Sequence, residues 1–507
     1  MKNLPEIDFG ARLYREHEGG GTFAENYEGV SADGFSAYVE KVKAAGWRFS
    51  ESHRFGENVF YTFADGDDAA YLSFYPAVGE MRAVTEPCSC YLSYRDESGP
   101  KRLPVLVTQI DLEDFGLSYV VRLSDGRFII FDGGWPFEPD ADKLMDILRQ
   151  QSPDGKPRIA AWIMTHPHID HYRCFLTFWP KYRNDVIIEK FIYNFPDTDE
   201  ISARRVPAVT GWEEIEHLQK FDAMIKETGV PVYRAHSGQV YTFGNVRMEL
   251  LSSPDDTFFA PVKDTNHFSL VFKMYAEGQV ILWCADGYFA PAKLGARYGD
   301  YLKADILQLP HHGFNGGEPE EYRLIDPKVC LAPVFERDMF TRMNLVKPDN
   351  ITLIFDLDVE EFFTGSHGNV TLTLPYRPRP NAKKQLFDRI AELQKRVGAN
   401  SWFFTGLTTD DCSFLIINTA LRPVEVYVDL YFDDPKLYVD SIKISAGGKS
   451  FTRCCLTDPA GIDGDALYFN RDALQKKGIP KDAIFAAHFR SEQPAVVKGS
   501  RPADYFH

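Results

Sequence analysis

The chain has 507 residues, 44% of them hydrophobic and 25% charged, with 56 Lys plus Arg against 73 Asp plus Glu for a formal net charge of -17. A chain this long exceeds what one core supports, so two or three domains are expected, and the composition excludes a disordered chain. The acidic balance, with no basic run interleaved with aromatics, disfavours a nucleic-acid surface and leaves a small-molecule substrate as the expected partner, nucleic acid coming second.

The opening MKNLPEIDFGARLYREHEGGG places charges and glycines where a secretory signal needs an apolar stretch. No later run approaches the roughly 18 apolar residues of a membrane span, so a cytoplasmic protein without a membrane partner is expected. The eight cysteines are scattered, lack the spacing of a zinc knuckle, and read as reduced core thiols.

In chain order, Phe35, Tyr38, Val39, Val42 and Ala45 recur at helical spacing, and NVFYTF, AAYLSFY and MRAV follow as short strands. This predicts a small α+β domain over residues 1–100, with ESGPKRLP as the linker that follows. From 104 to 378 come the apolar runs VLVTQI, YVVRL, RFIIF, IAAWIMT, VIIEKFIYN, VRMELL, SLVFKM, QVILWCA, ADILQLP, KVCLAPV and NVTLTLP. They read as strands, with ADKLMDILRQ and EEIEHLQKFDAMIKETG as helices between some of them, the pattern of a layered α/β sandwich. PYRPRPNAKK breaks the chain as a hinge, QLFDRIAELQKRV reads as a helix, and the strand-rich remainder makes residues 380–507 a β-rich accessory domain. The two flanking domains carry no legible motif; covering the pocket and self-association are both open to them.

The sharpest chemical signal is Thr165-His166-Pro167-His168-Ile169-Asp170-His171, directly after the apolar strand IAAWIM. Side chains two apart on a strand end share a face, so His166 and His168 can grip one ion while Asp170 and His171, further on, swing toward a second. Imidazoles with a carboxylate suit zinc, with iron or manganese as substitutes.

This motif resembles the His-x-His-x-Asp-His signature of the metallo-β-lactamase superfamily, and the resemblance, which covers residues 104–378, implies an αββα sandwich. Further landmarks fall in order. Asp132-Gly133-Gly134 at the end of RFIIF looks like the family's first motif, an aspartate behind the metals. Asp286-Gly287 after QVILWCA matches the aspartate that bridges both ions. His311-His312-Gly313 after ADILQLP is similar to the family's last histidine, with His311 preferred over His312 as the ligand. The combination looks most like the subgroup containing the hydrolase domain of bacterial DNA-uptake channel proteins.

Two departures stand out. Tyr172-Arg173-Cys174 replace the glycines usual after the motif, placing a cation there, and the third histidine of the first metal is missing from its usual place. Asn266 and His267 are the candidates to replace it.

The resemblance implies a metallohydrolase with two divalent ions, most readily zinc, held by His166, His168, Asp170, His171, Asp286 and His311. Asp170 is the candidate for handling a proton, and Asp132 for orienting a ligand histidine through its other ring nitrogen. A metal-bound hydroxide would attack a phosphodiester or another small anionic ester, with Arg173 available to receive an anion and Trp135 and Phe314 as apolar walls. The alternatives are a lactonase or thioesterase on the same fold, an iron redox enzyme, and a non-catalytic metal-binding partner protein.

Overall fold

The computed structural model describes residues 2–17, 21–88, 90, 92–96, 103–196, 214–257, 265–287, 289–314, 316–334, 357–385, 399–408, 413–418, 423–432, 438–447, 450–455, 467–468 and 484–500. Residues 1–335 and 361–378 form one compact unit, and residues 336–360 and 379–507 a second. The predicted linker at 97–104 lies outside the described residues up to 102, and the predicted helix at 385–397 lies outside them from 386 onward.

Two eight-stranded sheets form the centre of the first unit. One runs Val232–Arg234, Phe191–Tyr193, Arg158–Ile163, Phe128–Asp132, Ser118–Arg122, Leu106–Gln109 and Val370–Thr373, with Ile187–Ile188 also on Arg158–Ile163. The other runs Glu361–Thr364, Val329–Ala332, Ile306–Gln308, Gln279–Trp283, Val271–Ala276, Val246–Ser252, Val240–Phe243 and Tyr94–Asp96. Their inner faces interdigitate: Tyr119, Val121, Ile129, Phe131 and Ile163 of the first pack with Met248, Phe272, Ile281, Trp283 and Leu331 of the second. The strands read as continuous apolar runs because both faces of the first sheet are covered. Its outer face buries Val120, Ile130 and Trp162 against the helices Glu138–Gln151, Cys174–Tyr182 and Glu214–Thr228, so the expected α/β sandwich is what these residues build.

The parallel pairings place the functional loops. Phe128–Asp132 pairs parallel with Arg158–Ile163, and Gln279–Trp283 pairs parallel with Ile306–Gln308, which pairs parallel with Val329–Ala332. Strands that run the same way end on the same edge. Asp132, the histidine motif, Asp286 and His311-His312 therefore all leave the sandwich at one rim, the usual site location in α/β sheets. The run VIIEKFIYN is two short strands, interrupted at Glu189-Lys190, where the Lys190 ammonium is buried over the Tyr94 ring.

The same unit carries a six-stranded antiparallel sheet, in the order Ala11–His17, Phe23–Glu28, Glu80–Pro87, Asp68–Tyr75, Asn58–Asp65 and Arg48–Phe55. The helix Ala32–Ala44 lies on it through Phe35, Tyr38, Val39 and Val42, and its N-terminus is capped by the Ser31 hydroxyl, which accepts from Gly34 N. Sheet and sandwich meet through buried ions beside aromatic contacts such as Phe55 on Tyr301 and Tyr75 on Tyr298. Arg82 pairs with Asp256 at 2.8 Å, Arg297 bridges Asp256 and Glu80 at 2.9 Å each, and His236 is held between Asp255 (2.7 Å) and Glu86 (2.8 Å).

In the second unit the long strand Ile484–Ser500 pairs with Ala399–Thr408, Ser413–Asn418 and Val424–Phe432, over a core of Phe414, Val426, Val428 and Phe489. Cys174, Cys284 and Cys330 are buried thiols outside any disulfide, and Cys88 and Cys90 are partly buried thiols, likewise in no disulfide. Among the described residues no helix is long and apolar enough to cross a membrane.

Candidate metal centre

The strand Phe128–Asp132 ends with Asp132 at φ 56°, a left-handed conformation that turns the chain at once. Gly134 follows at φ 95°, and a Cβ there would lie 2.8 Å from the Leu112 side chain, so only glycine lets the loop pass. The histidine motif leaves the strand Arg158–Ile163 and becomes a short helix at Ile169–Tyr172. It is clamped by backbone bonds from Leu117 N to Asp170 O (3.1 Å) and from Gly134 N to His171 O (3.1 Å).

Asp132 organises this corner while fully buried. Its Oδ1 accepts from Thr165 N (2.7 Å), and its Oδ2 accepts from the Thr165 hydroxyl (2.6 Å) and from His171 Nδ1 (2.8 Å). With its own proton given to Asp132, the Thr165 oxygen is left to accept from His166 Nδ1 at 3.1 Å. Both histidines thus carry their ring proton on Nδ1 and turn Nε2 inward, the arrangement that fixes a metal-ligating tautomer. Thr165 stands inside the motif, yet its part depends on contact with a residue 33 positions away.

Those Nε2 atoms converge on one carboxylate. Asp286 Oδ2 lies 3.8 Å from His166 Nε2, 3.2 Å from His171 Nε2 and 3.2 Å from His312 Nε2. Two ligand groups result: His166, His168 and Asp286 in one, and Asp170, His171, Asp286 and His312 in the other, with the ligand atoms of each group within 4.8 Å of one another. Every member is buried except His168, which is half-buried. Nε2 of His166, His171 and His312, together with Asp286 Oδ1, form no hydrogen bond. Buried polar atoms that converge without partners carry a desolvation cost of about 1–3 kcal/mol each, which a bound cation would relieve, so this donor set fits a divalent ion.

The sequence reading preferred His311; the structure instead puts His312 in the four-residue group. His311 Nε2 lies 3.8 Å from Asp286 and belongs to neither group. The reason is the backbone: both histidines have positive φ (49° and 56°), so the alternation of an extended strand does not carry into the loop. His267 also falls in neither group, and Asn266 lies buried beside it on the turn Thr265–Phe268. Arg173 is buried at the start of the following helix. Phe314 and Trp135 do flank the centre, through Phe115, whose ring lies 5.5 Å from His312, 5.9 Å from Phe314 and 5.7 Å from Trp135. Phe115 was not legible beforehand, because a lone aromatic in a loop carries no pattern.

Electrostatics sort the histidines. Burial holds His166 well below the ordinary imidazole value, and the neighbouring His171 cation pushes it the same way. Burial also works against charge on His171 and His312, but Asp286 and Asp170 outweigh it, raising His171 and pushing His312 up to about 9. Protons therefore stand where cations would bind, and metal uptake must release them.

Residues 112–283 match the family model of the metallo-beta-lactamase superfamily. The chain carries a metallo-β-lactamase superfamily domain. The matched stretch holds Asp132 and the whole histidine motif and stops short of Asp286 and His312, which the folded structure brings to the same centre. None of the curated proteins matches the sequence. Solved structures similar to this chain include CmlA, a diiron beta-hydroxylase from Streptomyces venezuelae, at 11% identity and a TM-score of 0.32, over 55% of this chain and 55% of CmlA, so the chain spans about half of that protein. The Anabaena sensory rhodopsin transducer is 20% identical over 20% of this chain and 96% of its own, with a TM-score of 0.16. Thermotoga maritima 1070 is 19% identical over 20% and 80%, with a TM-score of 0.14.

Proposed function

We propose that this chain is a metal-dependent hydrolase of the metallo-β-lactamase type that binds two divalent ions, most readily zinc, and cleaves a phosphodiester or another small anionic ester. One observation carries the reading: two buried ligand groups share the single carboxylate of Asp286. His166, His168 and Asp286 would hold one ion, and Asp170, His171, Asp286 and His312 the other. When bound, such a pair lowers the pKa of coordinated water toward neutrality and neutralises charge at an attacked phosphoryl or carbonyl centre.

The chain's own residues supply the rest. Asp132 and Thr165 hold a ring proton of His171 and of His166 on Nδ1, so that Nε2 of each faces inward as the atom that would bind the ion. Asp170, 3.1 Å from His312, is the group placed to hold a proton for the leaving oxygen. Phe115, Phe314 and Trp135 form an apolar flank that excludes water from one side of the centre. The net charge of -17 favours a small substrate over a polyanion, within a cytoplasmic setting.

Purified protein should contain zinc by elemental analysis and hydrolyse an activated phosphodiester faster than a lactone or thioester in the same panel. Metal-replete protein inert toward all three classes overturns the enzyme reading. Preference for the lactone overturns the substrate.

A further inference from the structure

The loops that carry Asp286 and His312 are held by conformations an L-residue rarely adopts. Ala285 has φ 48°, His311 49° and His312 56°, and together with Asp132 they make up four of the eight non-glycine residues with positive φ among those described. Such conformations are strained and persist only where the surroundings over-determine them.

One side chain does that here. Gln308, the last residue of the strand Ile306–Gln308 and buried, makes four hydrogen bonds to the backbone of both loops. Its Oε1 accepts from Cys284 N (2.8 Å) and Ala285 N (2.6 Å), and its Nε2 donates to Ala285 O (3.1 Å) and Leu309 O (2.7 Å). Two N–H groups lie on one side of the amide and two carbonyls on the other, so the orientation of the amide is dictated by its partners. Ala285 O also accepts from His311 N at 2.9 Å, which closes the link between the loops.

We infer that Gln308 is a positioning residue: its amide locks the Asp286 loop to the His312 loop, so that the shared carboxylate and the last imidazole are pre-set for a cation. No other residue type offers two acceptor sites and two donors in one plane at that reach. Asparagine is one methylene short, and glutamate cannot donate to the two carbonyls. The inference rests on the metal-centre reading for what the loops are held to do, but the locking itself does not.

The test is zinc affinity, measured on the full chain by competition with a chromophoric chelator, for wild type, Gln308→Met and Gln308→Glu. Both variants should bind zinc about 10–100-fold more weakly, the usual cost of losing a group behind a ligand, while metal-free circular dichroism stays that of wild type. Folded variants with wild-type affinity overturn the inference. Hydrogen exchange on zinc-free wild type decides the case even if neither variant folds: the amides of Ala285 and His311 should be protected, and exchange at the rate of an open loop overturns the locking. A wild-type chain that takes up no zinc sinks the metal reading, and the same exchange measurement still judges Gln308.

Discussion

The cluster around Asp286 and the cluster around His236 are built from the same parts. Both are buried, both set imidazoles against carboxylates, and in both the carboxylates overcome burial to push a histidine up to about 9, His312 in one and His236 in the other. They differ in where the polar atoms point. His236 gives both ring protons away, to Asp255 at 2.7 Å and Glu86 at 2.8 Å, and stacks on Tyr71 with ring centroids 4.0 Å apart. His312 has neither ring nitrogen hydrogen-bonded, although Nε2 lies 3.1 Å and 3.2 Å from two carboxylates. A perturbed pKa therefore does not separate a functional cluster from a structural one here; satisfied hydrogen bonding does. The cluster around His236 joins two sheets, and the cluster around Asp286 is left incomplete for something else to finish.

The comparison breaks most visibly at Asp286, the carboxylate common to both ligand groups. Asp286→Ala should abolish bound metal and hydrolysis together; elemental analysis showing full metal content in an inactive variant would leave the carboxylate with another role. At the other cluster, His236→Gln should strand the buried carboxylates of Asp255 and Glu86 and lower stability in denaturant titration by about 3–5 kcal/mol, with metal content unchanged. Loss of metal without loss of stability would reverse the two assignments.

The pH dependence sharpens the same contrast. Burial lowers the pKa of His236, yet Asp255 and Glu86 outweigh burial and hold it at about 9, above the ordinary 6.5. Its contribution is therefore complete below pH 6.5 and is lost as pH rises through 9, an effect on the order of 3 kcal/mol. For Asp255 and Glu86 burial raises the pKa, but the His236 cation overrides it and depresses both, so their contribution is present above their ordinary values and is lost as acid protonates them. The stability difference between wild type and His236→Gln should fall between pH 6.5 and 9; a flat difference would mean His236 is neutral in the folded chain. The smallest effect separates adjacent histidines. His312→Ala should lose one ion per chain, whereas His311→Ala should keep full stoichiometry, and equal loss in both would return His311 to the ligand set.

Local pattern explains what could be read in advance. Apolar runs and their turn residues gave most of the sandwich strands, because a doubly covered sheet leaves no polar alternation to obscure them. The strands Ala11–His17 and Arg48–Phe55 escaped because charged residues fill them at the two edges of their sheet, Phe23–Glu28 escaped because its buried residues include Glu25 and Asn26 and show no apolar alternation, and the helix Cys174–Tyr182 escaped because Pro180 interrupts it. Within the site, His166, His168, Asp170, His171 and Asp286 were legible as residues at strand ends.

The amino-acid sequence by itself determined which strands end in ligand-type side chains and that their chemistry suits a divalent cation, since residue type and period are local properties. Tertiary structure decided that Asp286 falls in both groups of candidate ligands, that His312 and not His311 lies in one of them, that Asp132 reaches His171 and His166 by two routes, and that Gln308 is bonded to two loops. Those outcomes depend on positive backbone angles and on contacts between residues far apart in the chain, which no window of sequence contains.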